Sequence, residues 1–381
     1  MLIGLPALEN ANWPKLHHAY GRALDTPQHL RALLDGGDEA IKDAVSHLCS
    51  AIIHQGTPWT ATEPAALTVA GFLSDKRIDR CKPLRAHLFA FLASVAEASV
   101  RTEISREELE KTAKFDLEPF LNSEDDERLF NDENASNAFY ARSVLGCMKA
   151  APELIKVMLE GLKHLNPRVR TRAAMGAVML TNADSLRDYA KSVEIRLLWL
   201  AQTTRDIDER SAHVLALGDL GYAPIEFLHD PSPAVRMCAA LAPGFATNPA
   251  ALRELLNMVE RQAGNIDTWF KDKPPQFAMC PRFAVVARLV ESVADFAQLA
   301  NAAIALVKIT TIHCVDFDWG PLLAAAFKDG DGQIATEAQR RFLAALVKNQ
   351  KLWDAHFSNP HKWFKKAGLP YDRNECAKMI K

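Results

Sequence analysis

The chain has 381 residues, more than the roughly 250–300 at which a single hydrophobic core stops growing, so it must fold as several domains or as an elongated stack. Hydrophobic residues make up 49% and charged residues 24%, with a formal net charge of −2, an ordinary balance for a folded protein. That balance argues against a general nucleic-acid binder, which carries a basic excess, and no apolar run approaches the ~20 residues of a membrane helix.

The opening, MLIGLPALENANWPK, lacks a basic start followed by a long apolar run, so no secretory leader is expected and the chain reads as cytoplasmic. Its seven cysteines (Cys49, Cys81, Cys147, Cys238, Cys280, Cys314 and Cys376) are scattered and never paired as CxxC. They read as buried, reduced thiols. Residues 1–100 are expected to form helical hairpins. Within them lies the most conspicuous stretch, IIHQGTPWTATEPAALTVAGFL, Ile52 to Leu73. Its mixture of His54, Gln55, Gly56, Trp59 and Pro64 resembles a catalytic site, yet a helix–helix corner accounts for each residue. Gly56 suits the left-handed position after a last helical turn. Thr62 or Glu63 suits the next cap, with Pro64 in the first turn, where a missing N–H costs little. Trp59 would plug the corner and His54 would satisfy turn carbonyls.

Farther along, Leu84, Leu88, Phe91, Leu92 and Val95, then Leu154, Val157, Met158, Gly161 and Leu162, recur at helical spacing and predict amphipathic helices. Between them, SEDDERLFNDEN carries Glu124, Asp125, Asp126, Glu127, Asp132 and Glu133 against Arg128 alone. It reads as an acidic loop over 123–137, or a frayed helix start, and as a candidate docking surface for a basic partner.

Three later segments align: NPRVRTRAAMGAV, RDIDERSAHVLALG and DPSPAVRMCAALAPG. With Arg170, Arg210 and Arg236 superposed, Ala174, Val214 and Ala240 coincide four residues on. Repeated arginines could track phosphates, or could orient a stack by bonding to neighbouring acids and carbonyls; the second reading is preferred. An irregular insertion is expected at 264–283, where DTWFKDKPPQFAMCPRF breaks the pattern. AIALVKITTIHCVDFDW is the most strand-like segment, although a buried helix fits its first half equally well, and 334–381 reads as a helical cap with a small basic edge at Lys362, Lys365 and Lys366. His313 and Asp316 are three residues apart, but one pair does not make a metal site, and Cys314 beside them reads as a structural thiol. HExxH, GxSxG, Walker and GxGxxG patterns are absent from the sequence, so no catalytic residue, cofactor or metal is assigned and no enzyme activity is expected.

The pattern DPxPxVRxxAAxALG is that of HEAT repeats, and DPSPAVRMCAALAPG resembles it closely. HAYGRALDTPQHLRALLDG, the Ile52–Leu73 corner and ATEAQRRFLAALVKNQKLWDAHFSNPHKWFKKAGLP are together similar to a bacterial group of HEAT-like proteins. The resemblance implies an all-α fold, a HEAT-like α-solenoid forming a right-handed superhelix of antiparallel helical hairpins. It would run continuously over 1–381, with the best-defined repeats in 138–260. It further implies a non-enzymatic binding protein. Some of that group look like immunity proteins that occlude a toxin, so the expected partner is another protein, such as a basic toxin domain encoded nearby, rather than a membrane or nucleic acid. The alternatives are a HEAT-like nucleic-acid-binding protein or DNA glycosylase, and a general interaction scaffold.

Overall fold

Residues 1–123 and 127–381 are described by the computed structural model. Among them the chain is all-α apart from two short β-hairpins. Packing divides it into two units, Met1–Arg196 and Leu197–Lys381; the sequence patterns marked no boundary at that point.

The first unit runs through α1 (Leu5–Asn10), α2 (Thr26–Asp35), α3 (Asp38–His47), α4 (Thr62–Phe72), α5 (Leu84–Val100), α6 (Arg106–Thr112), α7 (Glu118–Leu121), α8 (Glu127–Asn131), α9 (Glu133–Gly161) and α10 (Pro167–Thr181). The apolar stripe expected on α5 is only part of its buried surface. Phe89, Ala93 and Ala96, which lie off that stripe, are buried as well. The reason is that α3, α4, α9 and α10 all pack against α5, which along its middle turns leaves only a narrow strip, His87, Ala90, Ser94 and Glu97, open to solvent. The α4–α5 pair lies on the α9–α10 pair, α4 against α9 and α5 against α10. Gly161 permits this approach: a Cβ there would sit 2.4 Å from the Phe89 ring.

α11 (Ala190–Thr203) carries the chain into the second unit. There follow α12 (Ile207–Asp219), α13 (Pro233–Ala240), α14 (Pro249–Gln262), α15 (Pro281–Ser292), α16 (Phe296–Val307), α17 (Trp319–Ala326), α18 (Glu337–Lys348), α19 (Ser358–Lys366) and α20 (Arg373–Met379). α14, α16, α18 and α20 touch in succession, and so do α15, α17 and α19, giving two rows of helices. Polar caps start many of these helices. Asp206, Asn248, Asp295 and Asp372 each accept a first-turn N–H, and Thr336 with Gln339 forms a capping box, satisfying donors that the helix itself cannot pair.

The three aligned arginines adopt one geometry. Each lies four residues after its helix N-cap (Asn166, Asp206 and Ser232) and turns back to a carbonyl six residues upstream. Arg170 Nη1 donates to His164 O at 2.6 Å, Arg210 Nη2 to Thr204 O at 2.7 Å and Arg236 Nη1 to Asp230 O at 2.9 Å. Acids take further donors: Arg210 Nη1 reaches Asp230 Oδ2 at 2.9 Å and Arg236 Nε reaches Glu254 Oε1 at 2.6 Å.

Several expectations need correction. Of the two readings of the segment from Ala303, the helical one holds for its first half, which ends α16, and the rest forms turns with no strand. The acidic segment becomes helical at Glu127–Asn131 and again from Glu133. Cys49 and Cys280 are exposed, whereas Cys147, Cys238 and Cys376 are buried. The 264–280 stretch is irregular apart from one short turn at Ile266–Thr268. It is held to α12 by Gln276 Nε2, which donates to Ala212 O at 3.0 Å.

Arg210→Ala removes a fork and leaves the buried Asp230 carboxylate short of a partner. It is expected to lower the unfolding free energy by about 2–3 kcal/mol. Arg210→Lys should recover less than half of that loss, because an ammonium cannot reach both acceptors in the plane of a guanidinium. Urea denaturation of the three proteins measures the difference.

Candidate functional site

Two hairpins meet near the start of the chain. β1 (His17–His18) pairs with β2 (Gly21–Arg22), and β3 (Ile53–His54) with β4 (Thr57–Pro58). α3 does not end in a glycine cap. It widens into a π-helical turn, Leu48–Ile52, a rare form that disrupts the regular helical ladder, and feeds directly into β3. Gln55 at φ 51° and Gly56 at φ 83° then make the reversal; two consecutive left-handed residues are the signature of a type I′ hairpin turn. Gly56 thus has the expected conformation in an unexpected setting. Gln55 is the one non-glycine residue with positive φ among the described residues.

A single buried hydroxyl closes the second hairpin. Thr62 Oγ1 accepts from Trp59 N at 2.8 Å and donates to Ile52 O at 2.6 Å, with Thr62 0% exposed. Thr62 is the first residue of α4 and Ala61 its cap, so Pro64 is the third helical residue, still within the turn whose N–H groups lack intrahelical partners. The first hairpin is tied to the same frame: Ala61 N donates to His17 O at 3.1 Å, His17 N to Thr60 Oγ1 at 2.9 Å and Ala19 N to Ala51 O at 3.0 Å.

This frame joins features that are far apart in sequence. Trp59 packs against Leu117, Leu129, Ala135, Ala138 and Phe139, with ring centroids 5.9 Å from Phe130 and 6.0 Å from Phe139. Phe130 belongs to the acidic run, so the corner and that run form one surface. Arg22 Nη2 fastens them further by donating to Leu121 O at 3.2 Å and Ser123 O at 2.5 Å. Glu124, Asp125 and Asp126 lie outside the described residues. Glu127 and Glu133 are exposed, and Asp132 caps α9 by accepting from Ala135 N at 2.9 Å. His54 Nδ1 donates to Ser50 O at 2.8 Å, and the His54 ring meets Tyr20 at 5.8 Å. Tyr20 (68%), Leu24 (63%) and Phe130 (43%) are exposed around this frame.

Sequence reasoning missed a cluster of imidazoles around one carboxylate. His18 Nε2 donates to Asp25 Oδ1 at 3.0 Å, while His18 Nδ1 accepts from Tyr20 N at 3.1 Å. On the other side of Asp25, His47 Nδ1 lies 3.9 Å and His29 Nε2 4.0 Å from Oδ2. His29 stacks on His47 at 4.3 Å. Burial, reinforced by the charge of His29, pushes the His47 pKa down to about 4, so His47 is neutral at neutral pH. Burial alone would raise Asp25, but the His18 hydrogen bond and the charges of His47 and His18 hold it below the usual carboxylate range. The only local sequence signal was Asp25 and His29 at i and i+4.

Thr26 Oγ1 lies 2.9 Å from His47 Nε2. Thr26, His47 and Asp25 thus line up as hydroxyl, imidazole and carboxylate, but at 3.9 Å the His47–Asp25 pair lacks the hydrogen bond of a catalytic triad. Thr26 is 0% exposed, so no substrate reaches that hydroxyl in this conformation. The other sequence candidates do not converge: the His313 ring packs on Phe357 at 4.8 Å, and Asp316 Oδ1 accepts from Trp363 Nε1 at 2.8 Å. Cys314 Sγ lies 3.3 Å from Arg282 Nη2. Comparison with protein-family models, curated proteins and solved structures finds no match to this chain.

Thr62→Val keeps the side-chain shape and deletes both hydroxyl bonds. It is expected to destabilise the first unit by about 1–3 kcal/mol, because Trp59 N–H and Ile52 C=O lose their partner. Urea unfolding should register it, with the larger effect expected at the hairpins in amide exchange.

Proposed function

We propose that this chain is a non-enzymatic HEAT-like binding protein that grips a basic protein partner through the surface around its two N-terminal hairpins. The observation that carries this reading is the union of the acidic run with exposed Tyr20, Leu24 and Phe130 on a hydrogen-bonded frame. Aromatic anchors beside same-sign charge suit a partner of opposite charge, with charge setting encounter rate and the rings supplying contact area. The HEAT-like assignment is supported by the common arginine-to-carbonyl geometry and the two rows of helices in the second unit. On this reading the most specific role is that of an immunity protein, which neutralises a toxin by covering its active site or substrate path.

The experiment is co-expression with the product of the adjacent gene, followed by calorimetric titration. A 1:1 complex is expected whose affinity falls with added salt. Glu127→Lys combined with Glu133→Lys should weaken it about tenfold or more, chiefly through slower association, and Tyr20→Ala should speed dissociation. A complex insensitive to all three substitutions would exclude this surface. Tight, salt-sensitive binding to duplex DNA, with no protein complex, would favour the nucleic-acid alternative.

A further inference from the structure

We propose that His18, Asp25 and His47 form a divalent transition-metal site, zinc by preference, which cross-links the β1–β2 hairpin to the start of α2 and the end of α3. One ligand atom from each of the three residues lies within 4.8 Å of the other two. Tetrahedral zinc with bonds near 2.0–2.1 Å requires ligand atoms roughly 3.3 Å apart. The two imidazoles approach different oxygens of the carboxylate, His18 Nε2 at 3.0 Å from Asp25 Oδ1 and His47 Nδ1 at 3.9 Å from Asp25 Oδ2, so metal would draw the three ligand atoms together by up to about 1.5 Å from their 4.8 Å limit.

The group that must adjust is the one nearest solvent. Asp25 is the N-cap of α2, yet its carboxylate makes no side-chain cap bond, and it is exposed while both histidines are buried. Its exposed side leaves room for water as the fourth ligand. Thr26 Oγ1, 2.9 Å from His47 Nε2, is the outer partner that a ligating imidazole needs. It holds the Nε2 proton and leaves the Nδ1 lone pair towards Asp25.

One contact opposes the site. Tyr20 N–H points at His18 Nδ1, which keeps the exchangeable proton on Nε2 in the metal-free form. Metal at Nε2 displaces that proton, shifts the tautomer and breaks the Tyr20 bond. The bond sits at the tip of a hairpin, beside exposed Tyr20 and Gly21 at φ 118°, where backbone can shift and water can replace it. The loss of one such hydrogen bond is small against the free energy of a three-ligand zinc site.

The test uses full-length protein stripped with a chelator and titrated with Zn²⁺ or Co²⁺. One ion per chain is expected, with a Kd below about 1 μM, a raised Tm and a visible Co²⁺ spectrum of tetrahedral intensity. Asp25→Asn should cut the affinity about 100-fold while leaving the metal-free protein folded, since Asp25 is exposed. His18→Gln should do the same, and Thr26→Val should cost about tenfold through His47 orientation. Failure to saturate at one ion per chain, or equal affinity in Asp25→Asn and His18→Gln, overturns the assignment.

Discussion

A helix buried over most of its circumference must be enclosed by its neighbours, and α5 is such a helix: along its middle turns only a narrow strip through His87, Ala90, Ser94 and Glu97 reaches solvent. Its apolar residues cover the rest of the surface, so α3, α4, α9 and α10 must each bring an apolar face to it. That demand sets the first unit. It lays one helical pair on another, requires Gly161 to admit the Phe89 ring, and leaves the chain between α5 and α9 to find its own small core. Leu117, Leu129 and Phe139 supply that core, and Trp59 completes it. The candidate surface is therefore a by-product of burying α5: the segment that bridges α5 to α9 is pressed against the corner that leads into α4.

Charge and aromatic contact at that surface come from the same few residues. Asp132 and Glu133 serve the start of α9, where negative charge complements the unpaired N–H groups and the helix dipole, and Phe130 bridges towards Trp59. On the proposed reading, local stability and partner attraction would not compete, because the carboxylate that caps the helix is also part of the acidic run.

What was legible in the sequence was whatever repeats at short range. The stripe on α5 and the common register of Arg170, Arg210 and Arg236 could be read because helical spacing and capping chemistry act within a few residues. The π-helical turn at Leu48–Ile52 could not be read, since no local composition marks it. Its consequence was to convert an expected helix end at Gly56 into a hairpin turn. The imidazole cluster was invisible for a different reason. His18 lies on β1, Asp25 at the N-cap of α2, His29 within α2 and His47 at the end of α3, so their meeting depends on backbone bonds such as Ala61 N to His17 O. In the acidic run, the six like charges masked the Asp132 cap that starts α9.

The arginines that turn back on carbonyls six residues upstream also bear on how the chain acquires its structure. Each closes a very short loop, for which the entropy lost on closure is small. The second unit, built by neighbouring helices touching in succession, can therefore form through local steps. The first unit differs, because the α5–α10 contact must wait until residues 101–166 have been gathered in, and non-local contacts of this kind slow folding. The two halves of one helical chain thus face different kinetic problems, and during synthesis the half that emerges first from the ribosome is the one with the longer-range closure to complete.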